Sequence, residues 1–134
     1  MGIGVSGWRL ARAVSQKGQL GVVSGTALDS VLVRRLQEGD PGGHLRRAME
    51  QFPIPRLAAD VLRRYFVPEG LAPGAPYKLL PMYREGVSLY REKVTMLANF
   101  VEVYLAREGH EGPVGINLLT KIQLPTLAGL YGAM

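Results

Sequence analysis

The sequence predicts an α/β fold made of repeated βα units, drawn from a doubly wound sheet or a (β/α)8 barrel, with a helical insertion between its two strands. Three observations carry this. Two short apolar runs, 20–24 and 114–119, are continuous enough to be strands buried on both faces of a parallel sheet. Each run is followed by a segment with helical periodicity. A glycine-rich turn, Met1-Gly2-Ile3-Gly4, leads directly into a further helical segment, as turns that follow strands do in α/β proteins.

The elements follow in order. Ser6 is placed to cap a helix through Trp8, Leu10, Ala11 and Val14 that stops at Gly18. The strand 20–24 comes next. Thr26 with Asp29 three residues on resembles a capping box with the shorter acid, opening a helix over about 27–38 with Leu28, Val31, Leu32 and Leu36 inward. Gly39 ends it. Asp40-Pro41 opens the next helix, with proline at its first position and Leu45, Ala48, Met49 and Phe52 as one apolar stripe. Pro53-Ile54-Pro55 breaks the chain, and Leu57, Ala58, Val61, Leu62 and Tyr65 mark a further helix closed by Pro68. Four prolines and three glycines, Gly86 among them, make 67–87 a long irregular loop, more plausibly a surface excursion than a lid. The segment 88–108 is helical and, over 94–105, apolar nearly all round, so it is buried on most sides or shared with a partner. Asn117 stands at the C-terminal end of the second strand. A last helix begins near Leu124-Pro125, with Leu124, Leu127, Ala128 and Tyr131 on one face, and runs to Met134.

Two strands are too few for a stable parallel sheet. The expectation is therefore a single incomplete domain over 1–134, with residue 1 where a first strand ends and residue 134 inside a later helix. Residues 40–92 form the helical and Pro/Gly-rich insertion. A whole barrel needs about 250 residues, so the chain would be its first third.

Composition removes several classes of function. There is no cysteine, which excludes disulfides, thiolate metal sites and a cysteine nucleophile. The two histidines, His44 and His110, sit in glycine-rich surroundings and read as loop or helix-end residues. No apolar run reaches the roughly 20 residues of a membrane span, and no signal peptide opens the chain, so the expected location is the cytoplasm. The net charge of +5 lies in residues 1–66 and includes the pairs Arg34-Arg35, Arg46-Arg47 and Arg63-Arg64. These read as solvated helix faces, and nucleic acid is disfavoured as a partner.

Gly2, Gly4 and Gly7 approximate a phosphate-cradling G-x-G-x-x-G, but no strand precedes them, and Asp29, at about the right distance for the acid, lies at a helix start. Asn117 is more informative. An amide at the C-terminal end of an apolar strand can donate to and accept from a ring edge, on the face where α/β folds bind ligands, although it could equally serve loop backbone. Lys121, soon after that strand, could meet a phosphate but reads first as a surface residue.

Met1-Gly2-Ile3-Gly4-Val5-Ser6-Gly7-Trp8, Leu20-Gly21-Val22-Val23-Ser24-Gly25-Thr26, Gly112-Pro113-Val114-Gly115-Ile116-Asn117 and Lys121-Ile122-Gln123-Leu124-Pro125 together resemble the nitronate monooxygenase (2-nitropropane dioxygenase) family. The resemblance implies a partial (β/α)8 TIM barrel, its first two to three βα units, with a helical insertion. It implies FMN as cofactor and the oxidation of alkyl nitronates by molecular oxygen. Gly115-Ile116-Asn117 matches the family's Gly-Val-Asn, whose Asn contacts the flavin, and Met1 and Gly2 match the tail of its first-strand motif. Met1, Gly2 and Asn117 are thus the implied FMN contacts, with Ser24 and Gly25 lining the site. The family's phosphate loops and catalytic histidine have no counterpart here, which implies a chain inactive alone that needs the rest of the barrel and exposes apolar surface. Two other readings stand beside this one: a flavin-dependent enoyl-thioester (enoyl-ACP) reductase, and a non-enzymatic interaction module docking through the helix at 94–105.

Overall fold

The computed structural model describes residues 1–82 and 88–134. Its elements are α1 (Trp8–Ser15), β1 (Gly21–Ser24), α2 (Leu28–Gln37), α3 (His44–Glu50), α4 (Pro55–Tyr65), α5 (Leu89–Arg107), β2 (Val114–Asn117) and α6 (Thr126–Ala133). β1 and β2 pair in parallel, Gly21 opposite Val114 and Ser24 opposite Asn117.

The expected partial (β/α)8 TIM barrel is corrected by this architecture. Among the described residues there are six helices and one two-stranded sheet, so the fold is helix-rich and mixed rather than a series of barrel units. The physical reason lies in what covers the strands. β1 is buried, but β2 is half-exposed along its length, and the core is gathered around a single long helix rather than around the sheet.

That helix is α5. Val94, Leu97, Val101 and Leu105 are almost wholly buried, and α1, α2, α3, α4, α6 and both strands pack around it. Its all-round apolar composition is thereby used within the chain. Leu45, Met49 and Phe52 of the α3 region and Leu57, Val61 and Tyr65 of α4 join the same core as Leu32 and Leu36 of α2. Ser88 begins α5 by accepting from the Arg91 N–H at 3.4 Å. His110 closes it: Nε2 lies 2.6 Å from the Ala106 carbonyl oxygen and Nδ1 accepts from Gly112 N–H at 3.1 Å.

Three helix starts differ from expectation. α1 takes no cap from Ser6; the Trp8 N–H donates instead to Glu102 Oε1 on α5. Thr26 and Asp29 form no capping box, because Ala27 precedes α2 in the left-handed conformation and Asp29 turns to Arg91. α3 begins at His44 rather than Asp40-Pro41. Asp40, itself at φ +47° and buried, accepts from the N–H groups of Leu45 and Arg46 at 3.0 Å each and so caps the helix from outside.

Residues 67–82 form no helix or strand, and the rest of the expected loop, 83–87 with Gly86, lies outside the described residues. The stretch is strapped to α2. The Gln37 side chain pairs with the Lys78 backbone in both directions, at 2.7 and 3.0 Å, and Leu80 enters the core. α6 turns its small residues, Ala128, Gly129 and Gly132, inward. A methyl group at Gly132 would overlap the Met96 carbonyl oxygen, so only glycine lets the two helices come this close. Leu127 and Tyr131 are left exposed. Among the described residues no helix is long and apolar enough to cross a membrane.

Candidate functional site

The C-terminal ends of β1 and β2 bring three candidate residues together. Ser24 and Asn117 are register partners, and the Gly25 N–H donates to the Asn117 carbonyl oxygen at 2.8 Å. Gly25 is tightly enclosed: a Cβ there would lie 2.6 Å from Leu118 Cδ2, the movable end of a side chain, and 3.1 Å from the Asn117 oxygen. The glycine is what lets the two strand ends run this close. The Asn117 side chain is exposed at this edge and has no protein hydrogen-bond partner among the described residues. Its amide therefore keeps a donor and an acceptor available. Ser24 is buried, and its Oγ has no partner either.

The N-terminal turn reaches the same edge through the backbone. Gly2 carbonyl oxygen accepts from Val5 and Ser6 N–H at 3.2 and 3.3 Å, and Ser6 carbonyl oxygen accepts from Ser24 N–H at 2.8 Å. Met1 and Gly2 are exposed beyond this turn. Hydrogen bonding thus links their segment to the end of β1, while no hydrogen bond among the described residues joins Met1 or Gly2 to Asn117.

Beside the edge is a cleft of about 190 Å³. The Gly25-Thr26-Ala27 turn, Asp29, Arg91 and Thr95 line it, with Ile122 and Pro125 opposite. Ala27 holds φ +55°, an uncommon conformation for a residue with a side chain and one that clusters at functional turns. Arg91 Nε donates to Asp29 Oδ2 at 2.9 Å, with both side chains largely buried, and its Nη1 donates to the Pro81 carbonyl oxygen at 2.7 Å. This pair ties the start of α5 to the start of α2 and forms one wall of the cleft. Neither member was singled out together from the sequence, since they stand 62 residues apart.

The other candidates are placed elsewhere. His110 is consumed by the end of α5, and Lys121 is exposed. His44 lies against Trp8, with ring centroids 5.1 Å apart, and its Nδ1 faces Arg47 Nη2 at 3.3 Å. Most of the paired arginines are neutralised within the chain. Arg35 meets Glu102 at 3.1 Å, Arg46 meets Asp40 at 3.2 Å, Arg47 meets Glu108 at 2.8 Å, and Arg63 and Arg64 both meet Asp60. No cluster of potential metal ligands occurs among the described residues. The sequence reading missed Glu102, whose signal was a lone acid within an otherwise apolar helical stretch.

No protein-family model, curated protein or solved structure matches this chain. The functional reading therefore rests on the geometry of the strand-end edge and on the motifs that occupy it.

Proposed function

We propose that this chain takes part in an FMN-dependent oxidation of the nitronate monooxygenase type, in the cytoplasm, with alkyl nitronate and molecular oxygen as substrates. The observation that carries the reading is the meeting of Ser24, Gly25 and Asn117 at one end of a parallel strand pair, with the Asn117 amide unengaged. This is the ligand-binding end of parallel sheets in general. The donor set suits the edge of a flavin ring. Asn117 offers an exposed amide donor and acceptor, and Gly25 permits close backbone approach, while Ser24 is buried beneath the edge. Bound FMN would supply the redox chemistry, taking electrons from the nitronate and returning them to oxygen. The chain's own part is to orient the ring by its edge and to close one side of the site with the Asp29–Arg91 wall.

The adjoining cleft, at about 190 Å³, is below the roughly 300 Å³ at which pockets begin to enclose a whole cofactor. The proposal is accordingly a ring-edge contact, and weak flavin binding by the chain alone.

The test is a fluorescence titration of FMN, and of riboflavin as the form without phosphate, into the 134-residue chain. Equal weak binding of both, lost in Asn117→Ala, is the expected result. No quenching by either, or quenching that Asn117→Ala leaves intact, would overturn the reading. If flavin binds, oxygen uptake with ethyl nitronate supports the nitronate assignment. NADPH oxidation with an enoyl thioester would replace it with the reductase.

A further inference from the structure

α6 carries no charged side chain, yet one of its faces lies open. Leu127, Tyr131 and Met134 recur at i, i+4 and i+7, so they form one row along that face and just past its end. They are 80, 71 and 95% exposed. An apolar cleft runs on each side of the row. One, of about 420 Å³, is lined by Phe52, Pro53, Ile54, Met96 and Phe100. The other, of about 400 Å³, lies toward Glu92 and Leu130. Glu92 is the one charged residue lining either cleft among the described residues. The row cannot turn inward, because Ala128, Gly129 and Gly132 already hold the other face of α6, with Gly132 close against the Met96 backbone of α5.

We infer that a second copy of this chain covers this face, as a two-fold dimer in which the α6 helices of the two copies pack together. Shape, area and charge favour that occupant. A raised row beside an apolar groove is self-complementary: under a two-fold axis the row of each copy enters the groove of the other. Leu127, Tyr131 and Met134, with the half-exposed Leu130 and Ile54, leave on the order of 500–700 Å² of apolar surface open on each copy, at the top of what monomers expose. Paired, two such faces remove about 1,000–1,400 Å² from water, which meets the roughly 1,000 Å² of a specific interface. The net charge of +5 would set two copies against each other if it lay in the contact, but no arginine or lysine lines either cleft. The same lack of charge disfavours a lipid surface, since interfacial helices carry Lys and Arg on their polar face and α6 has neither.

Sedimentation velocity across micromolar concentrations, without flavin, tests this. The expected result is a concentration-dependent dimer, weakened tenfold or more by Leu127→Lys and by Tyr131→Lys. Leu10→Lys, at an exposed leucine of α1 outside both clefts, should leave it unchanged. Both α6 positions point to solvent, and an unchanged melting temperature of the variants shows that they fold. In the unaltered chain, amide exchange over residues 126–133 should slow as concentration rises, a readout that needs no substitution. A monomer at every concentration overturns the proposal, whether or not it sediments with phosphatidylcholine vesicles. So does a dimer that both α6 variants keep, or one that Leu10→Lys weakens equally.

Discussion

The backbone N–H of Trp8 donates to Glu102 Oε1 at 2.7 Å, a contact that spans 94 residues of sequence. The same carboxylate accepts from Arg35 Nη1 at 3.1 Å through its other oxygen. One buried side chain of α5 thus caps α1 and anchors α2. It places a negative charge at the positive end of α1, where no local residue supplies one. Glu102→Ala should destabilise the chain by about 2–4 kcal/mol, because it leaves a buried N–H and a largely buried guanidinium unpaired. Glu102→Gln should cost less, since an amide oxygen can still accept from Trp8. Urea unfolding of the two variants checks the order.

Gly25→Ala should disturb the strand-end edge before it disturbs the core. The added methyl meets Leu118 Cδ2, which must swing aside, and crowds the Asn117 oxygen at 3.1 Å, so the end of β2 gives by a few tenths of an ångström. The expected outcome is a stability loss of about 1–3 kcal/mol together with loss of the weak flavin quenching. A variant that keeps both would show that the close approach at this edge is not required.

Gly132→Ala should release α6. The new Cβ would overlap the Met96 carbonyl oxygen, which is backbone in the middle of α5 and cannot swing aside. Faster amide hydrogen exchange confined to residues 126–133 is the expected signature. Unchanged exchange there would mean that α6 can pack in another way.

Acid should weaken the contact between α3 and the end of α5. The two hydrogen bonds from Arg47 hold the Glu108 carboxyl below its ordinary value of 4.5, with partial burial opposing and the charges of Arg47 and Arg12 assisting. A carboxyl lowered in the folded state stabilises fully above its ordinary value. That stability is lost as pH falls through the lowered one. Melting temperature should therefore fall from about pH 5 downward, and Glu108→Gln should flatten that limb.

At the alkaline end Tyr90 works in the opposite direction. Burial first, and then the neighbouring Tyr65, push its hydroxyl up from 10.0 to about 12. The unfolded chain loses this proton earlier than the folded one, so stability falls as pH rises from 10 toward 12. Tyr90→Phe should remove part of that fall while leaving the melting temperature near neutrality little changed.

Much of the local structure was legible in the sequence. The run 20–24 contains the strand Gly21–Ser24, the largely apolar segment 94–105 is the buried centre of α5, and the strand-end position of Asn117 follows from the run 114–119. These features depend on periodicity and on neighbours a few residues away. That Ser24 and Asn117 are register partners, with Gly25 beside them, came only from the tertiary pairing of the two strands. The helix caps were not legible either. Ser6 and Thr26 have the right chemistry for caps, but Glu102 reaches α1 first, and Ala27 in its left-handed turn sets the start of α2. Which face of α6 turns inward was decided by close packing, which favoured Ala128, Gly129 and Gly132 over the larger Leu127 and Tyr131. The barrel expectation failed for the same reason at a larger scale. Residue pattern determines whether a segment is a strand or a helix, but the number of strands that pair, and what covers them, is set by contacts between residues far apart in the chain. Here those contacts gathered five helices around α5 and left a sheet of two strands.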